Sequence, residues 1–191
     1  MRRTRLESCV AVCLVTLVLL SGARASESTA DDPLVKMVIG LLHDNDKEMR
    51  ALALEQVRSE TRGQEATKAF AAELPKLPAE HQVGLLSALA DRGDRAARAA
   101  VLGLIGGDSG EAVDVAAVRA LGSLGEPGDG TLLISFLESD SDGVRAAAKR
   151  SLVRLQGESV SGDLAKAIGR VSSPIAISLI DVLVTRRAVG M

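Results

Sequence analysis

Residues 145–152 read RAAAKRSL, and this eight-residue stretch recurs along the 191-residue chain. Its pattern of small, apolar and polar places returns at 50–57, 82–89, 114–121 and 176–183, with no gap inside the window. Successive copies start 32, 32, 31 and 31 residues apart. A period of this length is typical of helix pairs stacked in an array. The last place is apolar in every copy, as Val57, Leu89, Leu121, Leu152 and Leu183.

Each copy has the composition of two helices joined by a short polar turn. In the fourth copy Pro127 opens the first helix, the turn is ESDSD at 138–142, and Asp140 or Ser141 caps the second helix. The sequence therefore predicts an all-α fold, an α-solenoid of about five helix pairs. The predicted repeats span about 32–60, 63–91, 94–124, 127–155 and 158–186, and residues 188–191 start an incomplete sixth repeat.

The overall composition agrees with a helical globular protein. Hydrophobic residues make up 47% of the chain and charged residues 25%, which excludes a disordered chain. Phe70 and Phe136 are the only aromatic residues, so Ala, Leu and Val must fill the core. These small and straight-chain residues favour helix, whereas strands prefer aromatic and β-branched side chains.

The first 25 residues have the features of a secretory signal peptide. Three arginines lie within residues 2–5, an uncharged and mostly apolar run spans 9–20, and Ala23 and Ala25 fit the small-x-small cleavage rule. The run is too short for a transmembrane helix, which needs about 20 apolar residues. We expect cleavage after Ala25, a short linker at 26–31, and an exported protein, either periplasmic or extracellular.

Cleavage would change the cysteine count and the net charge. Cys9 and Cys13 would both be removed, so the mature chain would have no thiol. Loss of four arginines and Glu7 would leave 19 basic and 24 acidic residues, a net charge of −5. A mildly acidic chain argues against nucleic acid or an anionic membrane as the main partner, and we expect no membrane insertion after cleavage.

The places of the repeated window differ in polarity. The second to fourth places and the last hold small or apolar residues in every copy, which predicts that they pack against neighbouring helices. The sixth place is polar in all five copies, as Glu55, Ser87, Arg119, Arg150 and Asp181. The first place holds Arg50, Gln82, Asp114, Arg145 and Ala176. We expect both columns to face solvent, with a partner bound by Arg50, Glu55, Gln82, Asp114, Arg119, Arg145, Lys149 and Arg150.

Two segments resemble a known repeat family. Residues 46–53, DKEMRALA, and 142–148, DGVRAAA, resemble the Asp-x-x-Val-Arg-x-x-Ala signature of the HEAT-like repeats first associated with phycobilisome lyases. The resemblance covers residues 32–187 and implies an α-solenoid, in which Arg50 and Arg145 pair with an acidic residue of a turn. The sequence departs from the signature at the equivalent places, Gln82, Asp114 and Ala176.

No set of residues has the spacing of a catalytic or metal site. His43 and His81 lie far apart without a cysteine nearby, and the aspartates of the turns lack the twelve-residue calcium-loop pattern. The mature chain has no Gly-x-Ser-x-Gly motif and no activated nucleophile. We therefore expect no catalytic, cofactor or metal-binding residues, and we expect the acidic turn residues to cap helices.

The repeats favour a non-catalytic role in protein–protein interaction or scaffolding, because a solenoid presents an extended face to a protein or peptide. The alternative is the N-terminal, non-catalytic region of a larger or truncated enzyme, with bilin-lyase-like activity as its most distant version. The reason for this alternative is the fifth helix pair, which should leave Ile175, Leu179 and Val182 partly exposed at an open end of the solenoid. Self-association through that end is a further expectation.

Overall fold

The structure is a computed structural model that describes residues 32–59 and 63–190. The predicted signal peptide, the linker at 26–31 and Met191 lie outside the described residues. The described ranges contain ten α-helices and no strand. The helices are α1 (Pro33–Leu42), α2 (Lys47–Ser59), α3 (Gln64–Ala71), α4 (Ala79–Arg92), α5 (Arg98–Leu104), α6 (Glu111–Leu124), α7 (Gly130–Ser135), α8 (Asp142–Arg154), α9 (Val160–Ile168) and α10 (Ser173–Ala188).

The ten helices form five consecutive pairs, which confirms the predicted all-α solenoid. The second helices, α2, α4, α6, α8 and α10, pack against one another in chain order and form one layer. The first helices form the other layer, where α1 contacts α3 and α7 contacts α9. Helices α4 and α10 extend slightly beyond the predicted ends of their repeats, to Arg92 and Ala188.

Polar side chains cap the starts of helices α1 and α8. The Asp32 carboxylate accepts a hydrogen bond from the Leu34 N–H at 2.9 Å, and Pro33 occupies the first turn of α1. At the start of α8, the Ser141 hydroxyl oxygen accepts from the Val144 N–H at 3.1 Å. Ser141 is therefore the cap of this helix.

The buried columns of the second helices form the core. The fourth place of the window is fully buried in every copy, and the last place is fully buried in the first four copies and half-buried at Leu183. The second and third places are less buried than expected, since Ile177 is 68% exposed and Leu52 is 50% exposed. The seventh place, which the sequence analysis did not single out, is buried in four copies as Ala88, Ala120, Ser151 and Val182.

A buried arginine joins the fifth repeat to the fourth. The Arg186 side chain is 2% exposed, and its Nη1 donates to the carbonyl oxygens of Leu152, Val153 and Leu155 at 2.7, 3.0 and 2.8 Å. These carbonyls end α8, where no intrahelical N–H is left to pair with them. Arg186 Nε also donates to the Ser161 hydroxyl at 3.2 Å. The guanidinium thus satisfies a helix end that the chain would otherwise bury unpaired.

Arg92 repeats this arrangement three repeats earlier. Its Nη1 donates to the carbonyl oxygen of Val57, near the end of α2, at 2.8 Å. Its Nε donates to the Thr67 hydroxyl at 2.7 Å, in the place that Ser161 takes beside Arg186. Burial lowers the pKa of Arg92 and of Arg186, because a charged guanidinium loses solvation. The first and last repeat junctions therefore share one arginine clamp.

Glycine residues end the other two inner second helices. Gly93 follows α4 in the left-handed conformation, φ 72°, and its N–H donates to the Leu89 carbonyl at 3.2 Å. Gly125 follows α6, and a Cβ there would lie only 2.8 Å from Leu155 Cδ1. Leu155 and Leu124 occupy the column of Arg92 and Arg186 and are fully buried. Where a glycine ends one second helix, the next second helix thus carries leucine in this column in place of arginine.

An ion pair closes the junction between the third and fourth repeats. Arg98 Nε lies 2.7 Å from Asp129 Oδ2, and Arg98 Nη2 lies 2.5 Å from Asp129 Oδ1. The Glu126 N–H also donates to Asp129, at 2.8 Å. The hydrogen bonds from Arg98 hold the pKa of Asp129 below its ordinary range, and the same pairing raises the pKa of Arg98. The carboxylate is therefore stabilised in its charged form.

The prediction about the open end of the fifth pair is wrong in its residues. Ile175, Leu179 and Val182 are buried, with 6, 0 and 0% of each residue exposed. They lie on the side of α10 that faces the preceding repeat and its own first helix. The apolar residues exposed on α10 are Ile177, Ile180 and Val184.

Arg186→Leu tests the arginine clamp, because leucine occupies the same column in the third and fourth repeats. We expect the free energy of unfolding to fall by about 2–3 kcal/mol, since three carbonyls at the end of α8 lose their donor. Urea denaturation followed by circular dichroism measures the change. The control is Arg187→Leu at the exposed neighbouring position, where we expect a change within about 0.5 kcal/mol. Equal losses in the two variants would contradict the clamp.

Candidate partner-binding face

The first column of the window is buried or half-buried rather than freely exposed to solvent, which corrects the predicted exposure. Arg50 Nη1 donates to the carbonyl oxygens of Asp44 and Asn45, at 2.9 and 2.8 Å, in the turn of its own repeat. Gln82 is 4% exposed, and its Nε2 donates to the Leu77 carbonyl at 3.0 Å. Gln82 is therefore buried and unsuited to partner binding.

The same column fixes the turn in the third and fourth repeats. Asp114 Oδ1 accepts a hydrogen bond from the Gly106 N–H at 2.9 Å. Arg145 donates to the Ser139 carbonyl and pairs with the Asp142 carboxylate. The column thus supplies a donor where the turn presents a carbonyl and an acceptor where it presents an N–H. This explains why an acid replaces arginine in the third repeat.

The resemblance to the HEAT-like signature implied that Arg50 and Arg145 pair with acidic turn residues. This holds for Arg145, which reaches Asp142. Arg50 instead takes main-chain carbonyls of the turn. Both arginines are half-buried, so their role is to hold the two helices of one repeat together.

The sixth column faces solvent in all five copies, as predicted. Its residues mark the outer surface of the second-helix layer, which we call the second-helix face. Among the residues described, this surface crosses all five repeats and is therefore available to an extended partner. The column comprises Glu55, Ser87, Arg119, Arg150 and Asp181, all of them exposed.

Ion pairs between neighbouring repeats neutralise the two ends of this face. Arg58 Nε lies 3.1 Å from Asp91 Oδ2, and Arg58 Nη1 lies 3.4 Å from Glu55 Oε2. Near the other end, the Lys149 ammonium pairs with the Asp181 carboxylate. Glu55 and Lys149, both predicted to bind a partner, are therefore engaged within the chain.

The centre of the second-helix face carries three arginines, which we call the arginine cluster: Arg119, Arg150 and Arg154. Arg150 Nε donates to the Ala146 carbonyl of its own helix at 3.2 Å, and Arg154 Nη2 donates to the Ser123 hydroxyl at 2.9 Å. In the ranges 32–59 and 63–190, no carboxylate pairs with any of the three. Arg154 is not among the residues predicted from the sequence, although it lies one helical turn after Arg150.

A shallow groove of about 190 Å³ runs between α4 and α6 next to this cluster. Small side chains form its floor, and Arg119 and Arg154 stand at its edge together with Asp91. Such a floor admits the main chain of an extended segment close to the helices. The remaining lining residues are Val83, Ser87, Ala90, Ala116 and Ala120.

A larger cleft, of about 520 Å³, opens on the first-helix side between α7 and α9. Ile134 and Leu164 contribute to its apolar wall, and Lys166 and Arg170 lie at its margin. Lys166 is paired with Asp163 at 3.1 Å. This cleft is larger than the groove between α4 and α6. Its charged side chains form a weaker pattern than those of the second-helix face.

The isolated histidine of the first turn has a structural contact. His43 Nε2 lies 2.8 Å from Glu73 Oε2, which joins the first repeat to the second. Burial would raise the pKa of Glu73, but hydrogen bonds from Lys76 and His43 outweigh this effect and lower it.

Within the described ranges, no three His, Cys, Asp or Glu side chains are grouped to hold a metal ion. No described helix is long and apolar enough to cross a membrane.

Comparison with known proteins agrees with this architecture. Residues 67–153, from within α3 to the last turn of α8, match the family model of HEAT repeats. The chain is a HEAT-like repeat protein. None of the curated proteins compared with it matches. The phycobilisome-lyase type of HEAT-like repeat stays a prediction.

Two alanine substitutions in α6 distinguish the first column, which contacts the turn, from the exposed sixth column. Asp114→Ala should lower the free energy of unfolding by about 1 kcal/mol, because the Gly106 N–H loses the acceptor that fixes its turn. Arg119→Ala, in the exposed column of the same helix, should change it by less than about 0.5 kcal/mol. Thermal and urea denaturation measure both variants. A larger loss for Arg119→Ala than for Asp114→Ala would reverse the assignment of the columns.

Proposed function

We propose that this HEAT-like protein is a non-catalytic interaction module that binds an acidic segment of a partner protein along its second-helix face. The observation that carries the proposal is the arginine cluster, which lacks carboxylate partners in the described part of the chain while both ends of the face are neutralised. HEAT repeats typically bind proteins, and this supports a protein partner.

The chemistry of the cluster favours carboxylates. Guanidinium groups donate two parallel hydrogen bonds to a carboxylate, and such charged pairs are stronger than neutral ones. The groove between α4 and α6 would place the main chain of the segment beside Arg119 and Arg154. The net charge of −5 expected for the mature chain disfavours long polyanions such as nucleic acid, whose binding needs many cations.

Charge reversal of the arginine cluster tests this function. A display library of random peptides should yield ligands rich in Asp and Glu, and fluorescence anisotropy of a labelled ligand gives the Kd. Arg119→Glu, Arg150→Glu and Arg154→Glu together should raise the Kd by about 100-fold, because attraction becomes repulsion. Binding should also weaken as salt rises.

The matched control for this experiment reverses three cations of the first-helix side: Lys68, Lys166 and Arg170. It changes the net charge by the same amount, so a general charge effect would appear in both variants. We expect the Kd of this control to stay within a few-fold of the unaltered chain. Ligands without acidic residues, or equal losses in the two triple variants, would show that the cluster is not the binding site.

We further propose that the chain is exported and cleaved after Ala25. The support is the order of charged, apolar and small residues in the first 25 positions. A C-terminally tagged chain produced in a bacterial host should be recovered from the periplasm or medium. Its mass should be that of a chain that begins at Ser26. Ala25→Arg should abolish this cleavage, because the site requires a small residue. A full-length chain in the cytoplasm would contradict the proposal.

A further inference from the structure

Three apolar side chains form an exposed stripe on α10. Ile177, Ile180 and Val184 are 68, 50 and 62% exposed. Their spacing of three and four residues places them on one side of the helix. This side is opposite the buried residues of α10, so the helix is apolar on both sides. A contiguous exposed apolar stripe is typical of a surface that packs against another protein surface.

The stripe occupies the columns that face the next repeat elsewhere in the chain. In α6 the same columns hold Val115, Val118 and Gly122. The Val118 carbonyl accepts a hydrogen bond from the Ser151 hydroxyl of α8 at 2.8 Å. A Cβ on Gly122 would lie 2.9 Å from Ser151 Cα. These columns therefore form the contact between consecutive second helices.

The side of a second helix that receives this contact is exposed at the other end of the described structure. Gly84 lies in the third place of α4, and a Cβ there would lie 3.1 Å from Leu54 Cδ1 in the fifth place of α2. The third place thus meets the fifth place of the preceding helix. In α2 the third place is Leu52, which is 50% exposed, and Met49 beside it is 41% exposed.

We infer that two copies of this chain associate head to tail, with α10 of one copy packed against α2 of the next in the register of the internal junctions. In that register Ile180, in the fifth place of α10, contacts Leu52, in the third place of α2. The interface continues the second-helix layer from one copy into the next. Because its two surfaces differ, further copies can add at both free ends.

Sedimentation velocity of the chain isolated from an exporting host tests the association over a wide range of concentration. The unaltered chain should sediment as a mixture of monomer and larger species, with the larger fraction rising with concentration. Ile180→Asp and Leu52→Asp, each alone, should sediment as monomers, since each places a charge in the apolar contact. Leu132→Asp, at an exposed leucine of α7 away from both surfaces, should associate like the unaltered chain.

Mixing the two monomeric variants distinguishes this arrangement from a symmetric one. Ile180→Asp retains an intact α2 surface and Leu52→Asp an intact α10 surface, so the mixture should form a one-to-one complex that grows no further. Circular dichroism of each variant verifies that it is folded. A monomeric unaltered chain at every concentration would overturn the inference. So would a Leu52→Asp variant that still dimerises, because that dimer would use α10 alone.

Discussion

The structure depends on how each second helix ends against its neighbour. The last carbonyl groups of a helix have no internal donor, and in a stack of repeats these groups are covered by the following pair. The chain meets this constraint in two ways. At the first and last junctions Arg92 and Arg186 donate to the carbonyls, whereas Gly93 and Gly125 end α4 and α6.

This division has consequences for packing. Each of these guanidinium groups also donates to a hydroxyl, Thr67 beside Arg92 and Ser161 beside Arg186. A glycine end instead lets an apolar residue approach closely, as Leu155 does at Gly125. The two central junctions thus carry leucine where the outer two carry arginine, and the junction of the third and fourth repeats adds the Arg98–Asp129 ion pair. At the outer two junctions, a charged guanidinium donates to the helix-end carbonyls, and such hydrogen bonds are stronger than neutral ones.

The placement of polar residues follows from the same packing. Column one lies next to the turn of its own repeat, so its polar side chains hydrogen-bond to groups of that turn. Column six points away from the turn and is exposed in all five copies, which leaves its residue type free to vary. The difference in charge between the centre and the ends of the second-helix face therefore arises in this column and in Arg154, one turn beyond Arg150.

The sequence by itself determined the number of helix pairs, their period and the exposed sixth column, because these follow from local periodicity and turn chemistry. Only the tertiary structure decided what the polar residues do. Gln82 and Asp114 look solvent-exposed by residue type, yet each forms a hydrogen bond with a turn group that folding brings close. Arg92 and Arg186 share a column in the sequence, but the helix-end carbonyls of Val57 and Leu152 that they bind lie 35 and 34 residues away and meet them only when repeats stack. Residue type and spacing define the repeat, whereas contacts between distant repeats define which of its polar groups remain free.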